Sequence, residues 1–535
     1  MTKDGIHMIR LTNIKLDINA PEASLRGKCA KKLRVPPDDI KDLRIFRKSL
    51  DAREKGSLFF VYTADVSVKN EALLLKRDKT LSRAPELEYL PPKGACRMKN
   101  RPVVAGFGPC GIFAALMLAE MGLRPVVFEQ GEPVEKRSGT VAEFLNSGRL
   151  NERSNVLFGE GGAGAFSDGK LTTRIKDPRC RKVLREFVLA GAPEDTMYLA
   201  KPHIGTDRLV PVVKNLREKI ISLGGEVHFG SAVTDILLKD GKAAGVVING
   251  ESIHPAEDIV LAMGHSARDM YQLLYEKGFA MEQKPFAAGV RIEHPQEMID
   301  AAQYGDSPPY PADYALTYTT GTGRGVFTFC MCPGGRVIPA VSERGCLCVN
   351  GMSLSARDGE NANSAVLVQI FPGDFGSGHP LAGVELQRRM ESAAFAAGGG
   401  DYRAPVQLLG DFMANRPSGG LGGIKPTYRP GYTLCDFRDI LPGFISEALM
   451  EAIPAMGRKL KGFDRADAVL TALEARSSAP VRVLRNEKTG WSLNFQGIYP
   501  AGEGAGYSGG IMSSAVDGIL AAERIFSNNK EGDGK

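Results

Sequence analysis

Three glycines and an acid near residue 110, and a second glycine cluster four hundred residues later, carry the spacing in this chain that could do chemistry. Gly106-x-Gly108-x-x-Gly111 follows the apolar run Pro102 to Ala105 and opens an amphipathic stretch reaching Gly122. A second apolar run, Pro125 to Phe128, delivers Glu129 and Gln130. In a strand–turn–helix–strand unit the first glycine makes the tight turn and the second lets backbone approach a pyrophosphate. The third lets the helix pack on the strand. Pro109 and Cys110 stand at the expected helix start, where unpaired N–H groups and the positive dipole end suit phosphates. Glu129 is placed to accept both ribose hydroxyls of an adenosine, and would repel a 2′-phosphate.

The second cluster identifies the dinucleotide. Ile498 to Ile525 reads as a short strand, Gly502-Glu503, a glycine turn, and a helix from about Ile511. NAD needs no such second site; FAD does, because its ribityl chain and isoalloxazine extend beyond the pyrophosphate. Glu503 can hold a ribityl hydroxyl, and Gly509 and Gly510 let the helix start reach the flavin edge where charge accumulates on reduction. Between the clusters, Asp258 to Gly264 reads as a buried strand ending at Ala262 and Gly264. Gly159 to Gly169 is too glycine-rich for a helix or strand interior. Its Gly164, Ala165, Phe166, Ser167 and Gly169 are candidates to wrap the pyrophosphate and ribityl chain, with Asp168 adding a side-chain partner. Arg137 is a candidate phosphate contact, with a solvated surface charge as the alternative. Val233, after a strand at Glu226 to Phe229, is a candidate adenine contact.

With these residues in place the chain resembles the glutathione-reductase-like FAD flavoproteins. More closely it resembles a bacterial group labelled uncharacterised FAD-dependent dehydrogenases. The matching segments are FGEGGAGAFSDGKL (158–171), LAMGHSARDM (261–270), FCMCPGGRVI (329–338), NGMS (350–353) and PAGEGAGYSGGI (500–511). The resemblance implies fold and cofactor and leaves the reaction open.

Other residues could act on a substrate. Cys330-Met-Cys332-Pro-Gly-Gly and Cys346-Leu-Cys348 form two C-x-C pairs, and strand alternation would put each pair on one face. A zinc site, a redox-active thiol at Cys332 exposed by the Pro-Gly-Gly turn, and buried small hydrophobes are the three readings. His265 and Arg268, where the chain leaves the FAD sheet, are candidates for proton donor and anion clamp. Arg324, Arg357, Asn350, Asn361 and Asn363 offer donors for a carboxylate or carbonyl. Arg476, Ser477 and Ser478 could line the same cavity. No metal centre is expected.

These residues must be positioned by an α/β fold: a Rossmann-type FAD-binding domain, an inserted strand-rich substrate domain, and a small N-terminal α+β domain of ferredoxin-like type. The expected boundaries are 1–95 for the N-terminal domain, 96–270 and 481–527 for the two parts of the FAD domain, 271–480 for the insert, and 528–535 for a frayed tail. Within the insert, Gly383 to Ala397 and Arg465 to Ala475 read as helices. A second Gly-x-Gly-x-x-Gly after a strand is lacking, so a separate NAD(P) domain is not expected.

The 535 residues are 43% hydrophobic and carry a net charge of +6, with Lys and Arg scattered rather than concentrated, so no nucleic acid is expected. No apolar run reaches membrane-spanning length. Nine cysteines at irregular spacing suggest reduced thiols and a cytoplasmic setting. The reading is an FAD-dependent oxidoreductase, a dehydrogenase or reductase moving hydride between flavin and a small organic substrate, with NAD(P)H or another electron carrier as a candidate partner. The alternatives are a thiol–disulfide reductase using Cys332, a flavin-dependent RNA-modifying enzyme, and a non-catalytic FAD-binding partner protein.

Overall fold

The computed structural model describes residues 8–85, 89–306 and 308–530. The first unit is a four-stranded antiparallel sheet in the order Ile40–Asp51, Phe59–Val68, Ile9–Asp17, Ser82–Arg83. Helices Leu25–Leu33 and Glu71–Arg77 pack into one apolar cluster with it. This is the βαββαβ order of the ferredoxin-like motif. Ile9 and Leu11, then Ile14 and Leu16, are buried; a bulge between Leu11 and Ile14 switches the parity so that all four face the helices. The unit is tied to the next one through backbone, with the Lys48 N–H donating to Tyr198 O at 2.7 Å and the Ala200 N–H to Lys48 O at 2.8 Å.

A five-stranded parallel sheet follows, ordered Ile498–Pro500, Ile259–Leu261, Val103–Ala105, Val126–Phe128, Glu226–His228. Its first four strands are buried throughout, as a parallel sheet covered on both faces requires. The strand that pairs with Ile259–Leu261 therefore arrives only after the whole insert has been made. A hairpin, Val233–Lys239 and Lys242–Ile248, turns at Asp240 and Gly241, both with positive φ (51° and 73°).

The exit and return of the insert are zipped together by Met281–Gln283 and Val481–Val483. Between them stands a seven-stranded sheet, ordered Thr317–Thr319, Gly325–Cys332, Asn361–Ile370, Phe286–Pro295, Val469–Glu474, Ala404–Leu408, Tyr432–Leu434. Helices Ala382–Ala397 and Gly443–Gly457 pack against it. The helical reading of Arg465 to Ala475 is corrected here: Val469–Glu474 is an inner strand with all six residues buried. Ala, Leu and Glu favour a helix locally, but a strand buried on both faces shows no alternation to betray it.

The C-terminal helix, Ile511–Asn529, lies along Pro109–Glu120. Gly518 makes the crossing close, since a Cβ there would stand 2.1 Å from the Cys110 carbonyl oxygen. The expected tail is corrected at its start. Asn528 and Asn529 end the helix, their side-chain amides donating to the Tyr499 hydroxyl and to Asp258 Oδ2, each at 3.0 Å. Residues 531–535 of that tail lie outside the described residues.

Candidate functional site

The two glycine clusters meet. Gly106 turns with φ +100° and would carry a Cβ 2.5 Å from the Ala262 carbonyl oxygen; at Gly111 a Cβ would fall 1.9 Å from Gly106 O. Only glycine fits either place. Gly108 differs, for its nearest neighbour would be Gly162 Cα at 3.7 Å. Both helices begin at a glycine, Gly108 or Gly510, without a side-chain cap, so their first N–H groups remain open to a ligand. Gly164 joins the two starts: a Cβ there would stand 3.1 Å from Ile511 Cγ1 and 3.4 Å from Pro109 Cγ. The glycine run thus threads between the helix tips, forming a single 3-10 turn at Gly162–Phe166.

One cavity of about 730 Å³ is shared by Gly108, Glu129, Val233, Gly264, Glu503 and Gly510. Gly106, Pro109, Cys110, Gln130, Ala262, Gly509 and Ile511 also border it, as do Gly164, Ser167 and Gly169 of the glycine run. Glu129 is buried, and Oε2 accepts from the Phe107 N–H at 2.8 Å while Oε1 accepts from the Gly131 and Gly159 N–H at 2.9 and 3.1 Å. These bonds fix the carboxylate and leave it acceptor capacity at the cavity wall. Two uncapped helix starts, a fixed carboxylate at one end and an acid at the other fit the donors and acceptors of an FAD.

Several expected contacts are not at the cavity. Arg137 is fully buried and donates to four carbonyls, those of Asn155, Val156, Gly159 and Glu160, at 2.8, 2.9, 3.2 and 2.6 Å. It is a strut that shapes the loop before the glycine run, not a phosphate contact. Burial pulls its guanidinium down to about 10. Ala165 and Phe166 turn inward to a small core with Val141, Val156 and Ile338. The Gly502 N–H donates to Asp517 Oδ2 at 2.7 Å, away from the cavity. Gly111 serves the helix–strand approach alone.

The insert supplies the opposite wall, including Tyr314, Thr328, Cys330, Asn350 and Glu474. The strand ladder slips by one residue between Phe329 and Cys332, and Cys330 takes φ +42°. This bulge separates the two cysteines that alternation would have put on one face. Both border the cavity, but Cys330 is exposed to it, whereas Cys332 is buried beside Arg291 and donates its S–H to the Cys330 carbonyl at 3.2 Å. The exposed, reactive Cys332 of the sequence reading is therefore corrected: burial raises its thiol, with Lys170 and Arg291 only partly opposing. Among the described residues the four cysteines form no metal cluster; the group that comes together is Glu343, Cys346 and Glu391, and its Glu391 is clasped by two arginines. All nine cysteines are free.

Arg268 is likewise not a clamp. It is buried behind the wall, held by Glu391, Glu343 and Gln387. Of the proposed donors, Asn350, Arg476 and Ser477 reach the cavity. Arg324 pairs with Asp374, and Arg357 clasps Asp168. His265 stays at the wall, its Nδ1 3.8 Å from Glu503 Oε2. Burial, then Arg476 and Arg268, lower the imidazole to about 3, so it is neutral at ordinary pH. Burial raises the Glu503 carboxyl to about 7, with Lys284 opposing. Lys170, Arg291, Tyr314 and Glu391 were not foreseen. Lys170 follows the glycine run and could have been; the others carry no sequence signal.

Comparison with known proteins places the chain. The family model described as "FAD-dependent protein, C-terminal domain-like" matches residues 285–477, and a "Domain of unknown function (DUF8436)" matches residues 8–67. An uncharacterised protein of Clostridium beijerinckii (strain ATCC 51743 / NCIMB 8052) is 52% identical over 527 residues, covering 97% of this chain and 98% of that one. Among solved structures, the flavin-dependent brominase Bmp2 is 12% identical with a TM-score of 0.38, covering 81% of this chain and 80% of its own. Glycine oxidase from Geobacillus kaustophilus is also 12% identical, with a TM-score of 0.34, covering 81% of this chain and 96% of its own. The chain belongs to the family of the Clostridium beijerinckii protein, and it is an FAD-dependent flavoprotein. No helix among the described residues is long and apolar enough to cross a membrane.

Proposed function

We propose that this member of an FAD-dependent family is an oxidoreductase, a dehydrogenase or reductase of a small organic substrate held between the flavin end of the cleft and the insert. Bound FAD supplies the two-electron hydride chemistry. The chain supplies placement and field. The helix start would direct the Gly108 and Cys110 N–H groups and a dipole toward the phosphates, with Pro109, which has no N–H, fixing the first turn. Glu129 accepts from the ribose. The second helix start, at Gly510 and Ile511, stabilises negative charge at the flavin edge. Glu503 holds a proton near neutrality at that same end, beside a neutral His265. Thr328, Cys330 and Asn350 close the far side and restrict water. NAD(P)H or another small carrier recycles the cofactor.

The observation that carries this reading is Gly164, wedged between Pro109 and Ile511 at the junction of the two helix starts. The test is an anaerobic titration of the purified yellow protein with NADH, NADPH and then dithionite, following flavin absorbance. Bleaching by dithionite and by at least one carrier or organic reductant is expected. A colourless protein that cannot take up FAD would overturn the reading.

A further inference from the structure

Arg476 borders the cavity with its charge only partly balanced. Its Nε and Nη2 donate to Glu391 at 2.8 and 2.7 Å, but Arg268 claims the same fully buried carboxylate at 2.7 and 3.0 Å. Arg268 has a second carboxylate, Glu343, at 2.8 Å, but Arg388 shares it at 3.0 Å, and the remaining bond of Arg476 goes to the neutral Ser342 hydroxyl at 2.6 Å. Burial alone would raise the Glu391 carboxyl, yet the two guanidinium groups hold it at about 2, so it stays ionised and is simply outnumbered.

Lys170 repeats the arrangement on the glycine run. Its Nζ lies 3.2 Å from Asp168 Oδ2, but Arg357 already clasps that carboxylate, and Lys170 Nζ makes no hydrogen bond within the described residues. The acids of the wall do not make up the difference. Glu474 is paired with Arg291 at 2.7 Å and Asp313 with Lys201 at 2.8 Å. Asp269 is exposed, and Glu503 keeps its proton to about 7. Surplus positive charge in a buried wall is costly unless an anion meets it.

We propose that the substrate is a small carboxylate, such as an organic or amino acid, whose carboxylate docks on Arg476 with Lys170 as the second cation. This rests on reading the cleft as the substrate site of an FAD oxidoreductase. The planar guanidinium fork, anchored from behind by Glu391, is preorganised for a carboxylate. The phosphates of the cofactor have their own place at the Gly108 helix start.

Oxidised holoenzyme is titrated with acetate, pyruvate and benzoate, with acetamide and benzamide, and with inorganic phosphate. Both the flavin absorption band and the melting temperature are followed. At least one carboxylate is expected to bind saturably and about tenfold or more tighter than its amide. Arg476→Lys, which keeps the charge but loses the fork, and Lys170→Met are each expected to weaken it about tenfold while retaining FAD. Equal binding of acid and amide, unchanged affinity in both variants, or binding of phosphate without any carboxylate would overturn the anion site. Those outcomes leave the flavin reading intact. Failure to take up FAD would remove the flavin reading instead, and the melting shift would still report on the carboxylate.

Discussion

Gly108 and Gly111 lie on one turn, three residues apart, and the structure assigns them opposite consequences on substitution. At Gly111 a methyl would meet the Gly106 carbonyl oxygen at 1.9 Å. That oxygen belongs to the turn that fixes the first strand against the helix, so it cannot move alone. Overpacking of this kind costs about 1–3 kcal/mol when side chains can yield, and a backbone obstacle puts Gly111→Ala at or beyond the upper end. Against a total stability on the order of 5–15 kcal/mol, the variant is expected to lose much of its folded population.

Gly108→Ala should fold normally. The residue has φ −78° and ψ −172°, ordinary extended values for alanine, and its nearest neighbour would be 3.7 Å away. Restricting the unfolded chain would even stabilise it by about 0.4–1 kcal/mol. Its cost falls on the cofactor. A methyl at the cavity wall holds the pyrophosphate off the open helix start, losing at least one charge-assisted hydrogen bond of about 1.5–3 kcal/mol. The dissociation constant for FAD should therefore rise roughly tenfold to a hundredfold. Urea melts and FAD fluorescence titrations of both variants make the comparison. Wild-type FAD affinity in Gly108→Ala would refute the placement of the phosphates at this turn, and wild-type stability in Gly111→Ala would refute the close approach of helix and strand.

The remaining expectations concern buried charge and thiols. Folded Glu503 releases its proton at about 7 rather than at the ordinary 4.5 of a glutamate, so the folded state holds more protons between those values. Stability should fall as pH rises through that window by up to about 3 kcal/mol, and Glu503→Gln should flatten the slope in urea melts at pH 5 and 8. Arg137→Met strands four buried carbonyl acceptors, and should cost about 3–5 kcal/mol in a urea titration. The FAD spectrum of the surviving folded protein should be unchanged. Cys332 should resist iodoacetamide at pH 8 in the native state and react once urea exposes it; rapid native alkylation, mapped by mass spectrometry, would contradict its burial.

The cofactor half of the cleft was legible because each of its parts is a local device with a local reason. Gly106, Gly108 and Gly111 stand in a fixed order between two strands, Glu129 ends the second strand, and Gly510 precedes a helix. Each can be recognised without knowing what lies across the cavity. Arg137 shows where that logic stops. A cation shortly after the ribose acid reads as a phosphate partner, but the groups that claim it are backbone carbonyls of a loop about twenty residues on, and a carbonyl leaves no mark in the sequence.

Single residues of the substrate wall, Asn350, Arg476, Ser477 and His265, were legible, but its pairings were not, for a related reason. Glu391 sits inside a helix of ordinary composition, Arg268 and Arg476 start and follow other elements, and only the assembled insert brings them onto one carboxylate. Alternation assumes an unbroken ladder, and a single bulge leaves Cys330 open to the cavity while Cys332, at the same wall, is buried, which of the three sequence readings is that of a buried small side chain. Val469–Glu474 was misread because burial on both faces erases the period that separates strand from helix. In each case the missing information lies in a partner distant along the chain. The return strand Ile498–Pro500 makes the point for the whole fold. Its place beside Ile259–Leu261 closes the sheet, brings Gly510 to Gly108, and sets the insert wall opposite the flavin end. A change that loosens the Met281–Gln283 and Val481–Val483 zipper should therefore weaken FAD binding without touching a residue of the cofactor half.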